Sequence, residues 1–227
     1  MRITGSWYIV VIVFLGTSLS CFSDDVSAET LRVTITDASG SPVGNAVISA
    51  YAQGKSDHLP DVPRKTVIID QIDKKFVNHV TPVQVGTAIS FPNLDQIRHH
   101  VYSFSPAKTF EIPLYKGIPS KPIVFKQEGI VTLGCNIHDW MSAYIVVIDS
   151  PYFATTDEEG HTSLTLPDGD YELRFWHKDV EGQQANNKQS IKIVAGEVPE
   201  ISVKLSLKPP SFKGRGPLSI FNRGRYR

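Results

Sequence analysis

Cysteine is scarce in this chain, with two in 227 residues, Cys21 and Cys135, and neither sign of charge is in excess, with 23 Lys and Arg against 23 Asp and Glu. Apolar residues at sustained 3.6-residue spacing are also missing. Together with 41% hydrophobic residues, 16 Gly and 15 Pro, that absence points to a globular chain rich in strands and turns, all-β in class. No apolar run reaches the ~18 residues that would read comfortably as a membrane span. Neither a Ser-His-Asp set nor a paired-carboxylate motif stands out, so the chain is not expected to be an enzyme.

The first 28 residues read as an export signal. Arg2 supplies a positive start, Trp7 to Phe14 is a nearly unbroken apolar run, and Val26-Ser27-Ala28 offers a small-residue cleavage site. Two alternatives are an uncleaved anchor and a lipoprotein attached through Cys21, the latter weakened because Leu19 stands one place away from where a lipobox needs it. Cleavage after Ala28 removes Arg2, Asp24 and Asp25 and leaves 22 basic and 21 acidic residues. It also discards Cys21, so Cys135 becomes a lone thiol in an oxidising compartment, unable to form an internal disulfide. A bound soft metal is one occupant that would protect it. The expected location is the periplasm.

Strand signals run along the rest of the chain. Leu31, Val33 and Ile35 alternate with polar residues, and Asp37 to Gly40 carries turn chemistry. A second strand is expected within Pro42 to Tyr51, and Ser56 to Lys65, with Pro60 and Pro63, reads as a linker. Further strands are expected over Val67 to Ile69, Val83 to Phe91, His100 to Phe104, Pro122 to Phe125, Gly129 to Cys135 and Ala143 to Ile148. Beyond Pro151, strands and tight turns alternate again through Leu164, Leu166, Pro167 to Leu173 and finally Ile201, Val203 and Leu205.

Two separated stretches resemble one fold family. VTITDASGSPVGNAVISAYA, Val33 to Ala52, resembles the front half of a carboxypeptidase regulatory-like (prealbumin-like) β-sandwich, and TTDEEGHTSLTLPDGDYELRFWHKD, Thr155 to Asp179, resembles its back half. In that family the halves adjoin, which implies that the intervening domain is inserted into a sandwich loop. The expected organisation is a signal over 1–28, a discontinuous Ig/prealbumin-like sandwich over 29–65 and 150–207, a second β-domain over 66–149, and a basic tail over 208–227. Sequential modules are the alternative. The tail carries Lys208, Lys213, Arg215, Arg223, Arg225 and Arg227 and no acid. It reads as a disordered solubilising end or as a contact for an acidic partner or anionic lipid headgroups.

The chemistry concentrates in GCNIHDWMSAYIVV, where Cys135, His138 and Met141 stand as C-x2-H-x2-M between two strand signals. A blue-copper site needs a thiolate and two imidazoles in a trigonal plane with a weak axial thioether, and this loop offers all but the second imidazole. Zinc is the other ligand-based reading, but structural zinc sites do not recruit methionine. With the upstream segment FPNLDQIRHHVYSF, the stretch Thr66 to Ile148 resembles the cupredoxins, closest to amicyanin-type and plastocyanin-type proteins, and the loop spacing matches the short amicyanin type. The resemblance implies a Greek-key β-sandwich with one type 1 copper held by His99, Cys135, His138 and Met141. His100 stands where the family often has an asparagine, and it is the substitute candidate for His99, because neighbouring strand residues face opposite ways. His79, His161 and His177 read as surface or packing residues. Trp140 reads either as a cover for the metal and contact for a partner, or as core.

The family resemblance implies one-electron transfer, with the loop histidine His138 near the surface where a redox partner, a dehydrogenase or a cytochrome, would dock. HHVYSFSPAKTFEIPLY and LGCNIHDWMSAYIVVIDSPYFATTD also resemble bacterial proteins labelled methylamine utilization protein, which suggests electrons drawn from a quinoprotein dehydrogenase. A monomer is expected and nucleic acid is not an expected partner. The competing readings are copper storage or delivery, and a protein- or carbohydrate-recognition module with a secondary copper site.

Overall fold

The computed structural model describes residues 28–54, 65–119, 121–180 and 187–208. All of the expected export signal but Ala28, nearly all of the linker and all but the first residue of the basic tail lie outside these. Among the described residues there are seventeen strands and no helix. In chain order they are β1 (Ala28–Asp37), β2 (Val47–Ala52), β3 (Val67–Ile68), β4 (Gln71–Ile72), β5 (Lys75–Phe76), β6 (Val80–Gln84), β7 (Thr87–Ser90), β8 (His99–Ser105), β9 (Lys108–Tyr115), β10 (Ile123–Phe125), β11 (Gly129–Gly134), β12 (Ser142–Ile148), β13 (Tyr152–Thr155), β14 (His161–Pro167), β15 (Gly169–Trp176), β16 (Lys188–Ile193) and β17 (Glu200–Leu205).

Strand pairing sorts them into two sets. One sandwich sets a three-stranded sheet, β14-β1-β17, against a four-stranded sheet, β13-β2-β15-β16. Period-two alternation is the reason: Leu31, Val33 and Ile35 of β1 and Leu164 and Leu166 of β14 turn inward to meet Ile48 and Ala50 of β2 and Tyr171, Leu173 and Phe175 of β15 in one buried core. The other sandwich sets β10-β7-β3 against β6-β12-β11-β8-β9, with Ile89 and Phe125 from the smaller sheet packed on Val101, Val131, Leu133 and Ile145 from the larger. The short hairpin β4-β5 completes this part. No described strand before residue 54 or after residue 150 pairs with a described strand between them.

The stretch Val83 to Phe91 is not the single strand its composition suggests. It breaks at Gly86, whose φ of +88° only glycine adopts freely, and β6 and β7 then enter different sheets. The strand β9 and the hairpin β4-β5 carry no sequence signal read as strand. Half-exposed β9, with Pro113 inside, pairs with β8 and turns Phe110, Ile112 and Tyr115 onto the core.

The two sandwiches meet through a third apolar cluster, in which Val47 and Trp176 from one pack on Val80, Val146 and Ile148 from the other. At its edge, Tyr51 donates to Glu128. The guanidinium of Arg174 lies 3.7 Å above the Tyr51 ring and 3.4 Å from Glu128 Oε1, so the seam joins the sandwiches through apolar and polar contacts alike.

Candidate metal centre

Cys135 follows β11 and Met141 precedes β12, so the loop between them is the tip of an antiparallel hairpin closed by the pair Gly134–Ser142. The backbone N–H of Met141 donates to the carbonyl of His138 at 2.9 Å, which tightens the loop and keeps its donor residues together. Gly134, at the root, is covered by Tyr102 of the neighbouring β8: a Cβ there would meet the Tyr102 ring at 2.7 Å. A residue without a side chain leaves room for the Tyr102 ring to lie over the backbone there.

His99 arrives from β8. Along that strand His99, Val101 and Ser103 are fully buried, while Tyr102 and Phe104 face outward. The pairing of β8 with β9 is irregular between His99 and Val101, because two residues, Pro113 and Leu114, oppose His100 alone. Bulges of this kind bend a strand and re-aim side chains beside functional sites.

The result is a triangle buried at His99 and Cys135 and open toward solvent at His138. Cys135 Sγ lies 3.9 Å from His99 Nδ1 and 3.7 Å from His138 Nδ1, and the donor atoms of the three residues all lie within 4.8 Å of one another. Metal bonds of about 2.3 Å to sulfur and about 2.0 to 2.1 Å to nitrogen, opened to a trigonal ~120°, separate the two donors by about 3.8 Å. The observed spacings bracket that value, so these three side chains fit a metal in trigonal coordination. Met141 is fully buried with Cys135 in the same apolar cluster, and both border one surface cleft. A thiolate, two imidazoles and a neighbouring thioether form the set that suits copper in both oxidation states.

His100 lies on the other side of β8. Its Nε2 is 2.8 Å from Glu111 Oε1 and its ring packs against Tyr102, so the structure brings His99 rather than His100 to Cys135. His79 rests edge-on against Tyr144, His161 is exposed and bonds to Thr34, and His177 sits at a turn where it accepts from the N–H of Asp179. None of them reaches the triangle. Trp140 is 65% exposed with its ring 5.3 Å from that of His138, which places it on the surface beside the site and not in the core.

No protein-family model matches the chain, and no curated protein matches it. Among solved structures it is similar to several of amicyanin. An oxidized amicyanin variant is 18% identical, with 44% of this chain and 99% of that one covered and a TM-score of 0.34. The reduced Cu(I) form of a second variant at pH 4 is 19% identical over 44% and 99% of the two chains, with a TM-score of 0.35. A third, oxidized variant is 20% identical over 46% and 99%, with a TM-score of 0.35.

The sequence pattern does not disclose Asp95. Its Oδ2 is 2.7 Å from His99 Nε2, and the carboxylate is mostly buried. Burial pushes its pKa up, but the bond to His99 and the backbone N–H groups of Lys74 and Asp73 outweigh that and hold it below the ordinary carboxylate range. The only signal was its place four residues before His99. Asn93 fixes the loop that carries it: the side chain donates to the carbonyls of Ile97 at 2.9 Å and Tyr115 at 2.8 Å, and accepts the N–H of Asp95 at 3.0 Å. Tyr115 in turn donates to Phe91 O at 2.5 Å, and burial first, then the nearby Cys135, raises its pKa to about 12. On the outer side His138 is half-exposed, and burial, followed by the charges of His99 and Lys74, lowers its pKa.

Proposed function

We propose that this chain is a cupredoxin-type electron carrier that holds one type 1 copper at His99, Cys135, His138 and Met141. The observation that carries the reading is the buried Cys135 sulfur standing 3.9 and 3.7 Å from the Nδ1 atoms of His99 and His138. Copper held there supplies exchange of a single electron between its two oxidation states. The protein residues supply the rest. The sandwich core holds Cys135, His99 and Met141 out of water, so the donors change little between states and little reorganisation opposes transfer. His138 is the donor closest to solvent. Exposed Ile137 and Trp140 beside it, and exposed Leu94 and Ile97 on the loop before His99, make an apolar rim suited to brief docking of a redox partner.

The partner we favour is a dehydrogenase or a cytochrome in the periplasm. Electron transfer is the function we assign; among the described residues one group of His and Cys side chains lies close enough to hold a metal, His99, Cys135 and His138. The carboxypeptidase regulatory-like sandwich, into which the copper domain is inserted, then serves as a fixed mount for it. The basic tail is a further contact for an anionic surface.

The test is a visible absorption and electron-spin-resonance spectrum of the Cu(II)-loaded chain beside its Cys135→Ser variant. An intense thiolate-to-copper band that bleaches reversibly with reductant and is lost in the variant supports the carrier. An ordinary type 2 spectrum in both overturns it and moves the weight to copper storage or delivery.

A further inference from the structure

The seam between the two sandwiches is not filled throughout. Beside the shared apolar cluster it opens into a cleft of about 260 Å3, walled by β2 and β15 of one sandwich and by β11 and β12 of the other. Its floor is apolar, with Val47 and Trp176 facing Ile130, Val146 and Ile148. Polar groups stand along one side of it: Ser49, Tyr51, Glu128, Arg174 and Lys188. An apolar hollow with a few convergent polar groups, at the junction of two domains, is the usual setting of a small-molecule site.

The charges on this wall decide what it accepts. Two cations, Arg174 and Lys188, stand against one carboxylate, Glu128. Glu128 Oε1 already accepts the Tyr51 hydroxyl, and it lies 3.4 Å from Arg174 Nη1, farther than the about 2.7 to 2.9 Å of a close charge-assisted bond. Behind them a single oxygen, Glu172 Oε1, accepts from Arg174 Nε at 2.7 Å and from Lys188 Nζ at 3.0 Å. A guanidinium carries five N–H donors and an ammonium three. Among the described residues these contacts engage three of the eight, so both side chains keep donors for an incoming oxyanion. The guanidinium is also held in place, because it lies 3.7 Å above the Tyr51 ring.

We infer that the seam cleft binds a small carboxylic acid with an apolar body, its ring or short chain resting on Trp176 and Ile148 and its carboxylate on Arg174 and Lys188. Size sets the upper limit: about 260 Å3 falls below the ~300 Å3 at which sites for drug-sized ligands begin, so the body is no larger than about a single ring. The inference does not depend on the copper reading. Because both sandwiches contribute walls, a bound acid ties them together and stabilises the folded chain by mass action.

The experiment is a titration of the metal-free full chain with phenylacetate, followed by calorimetry and by the Trp176 indole cross-peak in a 1H–15N spectrum, distinguished from that of Trp140 with a Trp140→Phe variant. The expected result is one saturable site, a shift of the Trp176 peak with that of Trp140 unmoved, and a melting temperature that rises with phenylacetate concentration. Acetate, which has the head without the ring, should bind about 10- to 100-fold more weakly. Arg174→Gln should lower phenylacetate affinity about 10- to 100-fold, and phenethylamine, the same ring with a cation, should leave the Trp176 peak in place. Absence of saturable binding to the unmodified chain at millimolar phenylacetate overturns the proposal and needs no variant to fold. A shift confined to Trp140 also overturns it, since the probe would then sit on the rim of the metal centre. So does an Arg174→Gln chain that melts cooperatively and binds phenylacetate unchanged, or tighter binding of the amine, which would make Glu128 the recognising charge.

Discussion

The Tyr102 ring lies so close over Gly134 that any Cβ at position 134 would sit 2.7 Å from it. This contact lies between β8, which delivers His99, and β11, which leads into Cys135. Gly134→Ala is therefore expected to cost about 1 to 3 kcal/mol, the usual effect of forcing extra volume into a packed contact. Urea denaturation of the metal-free chain measures it. Adding Tyr102→Ser should return part of the loss as a positive coupling between neighbours, whereas strictly additive effects would show that the contact does not hold the two strands.

Met141 is 2% exposed among Phe91, Val101 and Ala143. Leucine has nearly its volume, so Met141→Leu should change the stability of the metal-free chain by less than about 1.5 kcal/mol. It removes a weak donor that favours Cu(II), so the reduction potential of the copper-loaded chain should rise. Voltammetry beside a thermal melt separates the two effects; a potential that stays in place would remove Met141 from the ligand set.

Trp176 plugs the seam between the sandwiches at 7% exposure, against Val80 and Ile148. Trp176→Ala should cost about 3 to 5 kcal/mol. Arg174→Ala, which removes a half-exposed cation–π contact and its ion pairs, should cost only about 1 to 2 kcal/mol. Calorimetry of the metal-free chain is expected to give one transition for the unmodified protein and two for Trp176→Ala, as the sandwiches lose their shared cluster. A single transition in both would mean that cooperativity does not pass through this residue.

Acid should weaken the fold in two stages. Burial lowers the pKa of His177, so below its ordinary value of 6.5 the unfolded chain takes a proton that the folded chain resists, and stability begins to fall there. Glu172 is lowered by hydrogen bonds from Arg174 and Lys188. Its contribution is fully present above its ordinary value of 4.5 and is lost as pH drops through its lower folded value. Stability of the metal-free chain should fall less steeply with acid near 6 in His177→Asn and near 4 in Glu172→Gln, while His138 and Asp95, whose pKa values are also lowered, keep contributing in the same windows. A slope that neither substitution alters would contradict both assignments.

What could be read along the chain is whatever a short stretch settles by itself. Leu31, Val33 and Ile35 announce a half-buried strand because their period is two, and Cys135, His138 and Met141 converge because one hairpin tip carries all three. The choice between His99 and His100 needed the third dimension: adjacent strand residues face opposite sides, and only the placement of β8 against β11 decides which side holds Cys135. Gly86 divides an apolar run between two sheets because a positive φ turns the chain there, an effect invisible in the hydrophobic pattern. Asp95 was illegible for a further reason. Its partners Asp73 and Lys74 lie more than twenty residues upstream on a hairpin without strand signal, and backbone N–H groups, which every residue except proline carries, leave no mark in a sequence. The donor types were thus determined locally, while their orientation and the seam that mounts them were decided by sheet packing, which alone brings distant backbone and side chains within hydrogen-bonding reach.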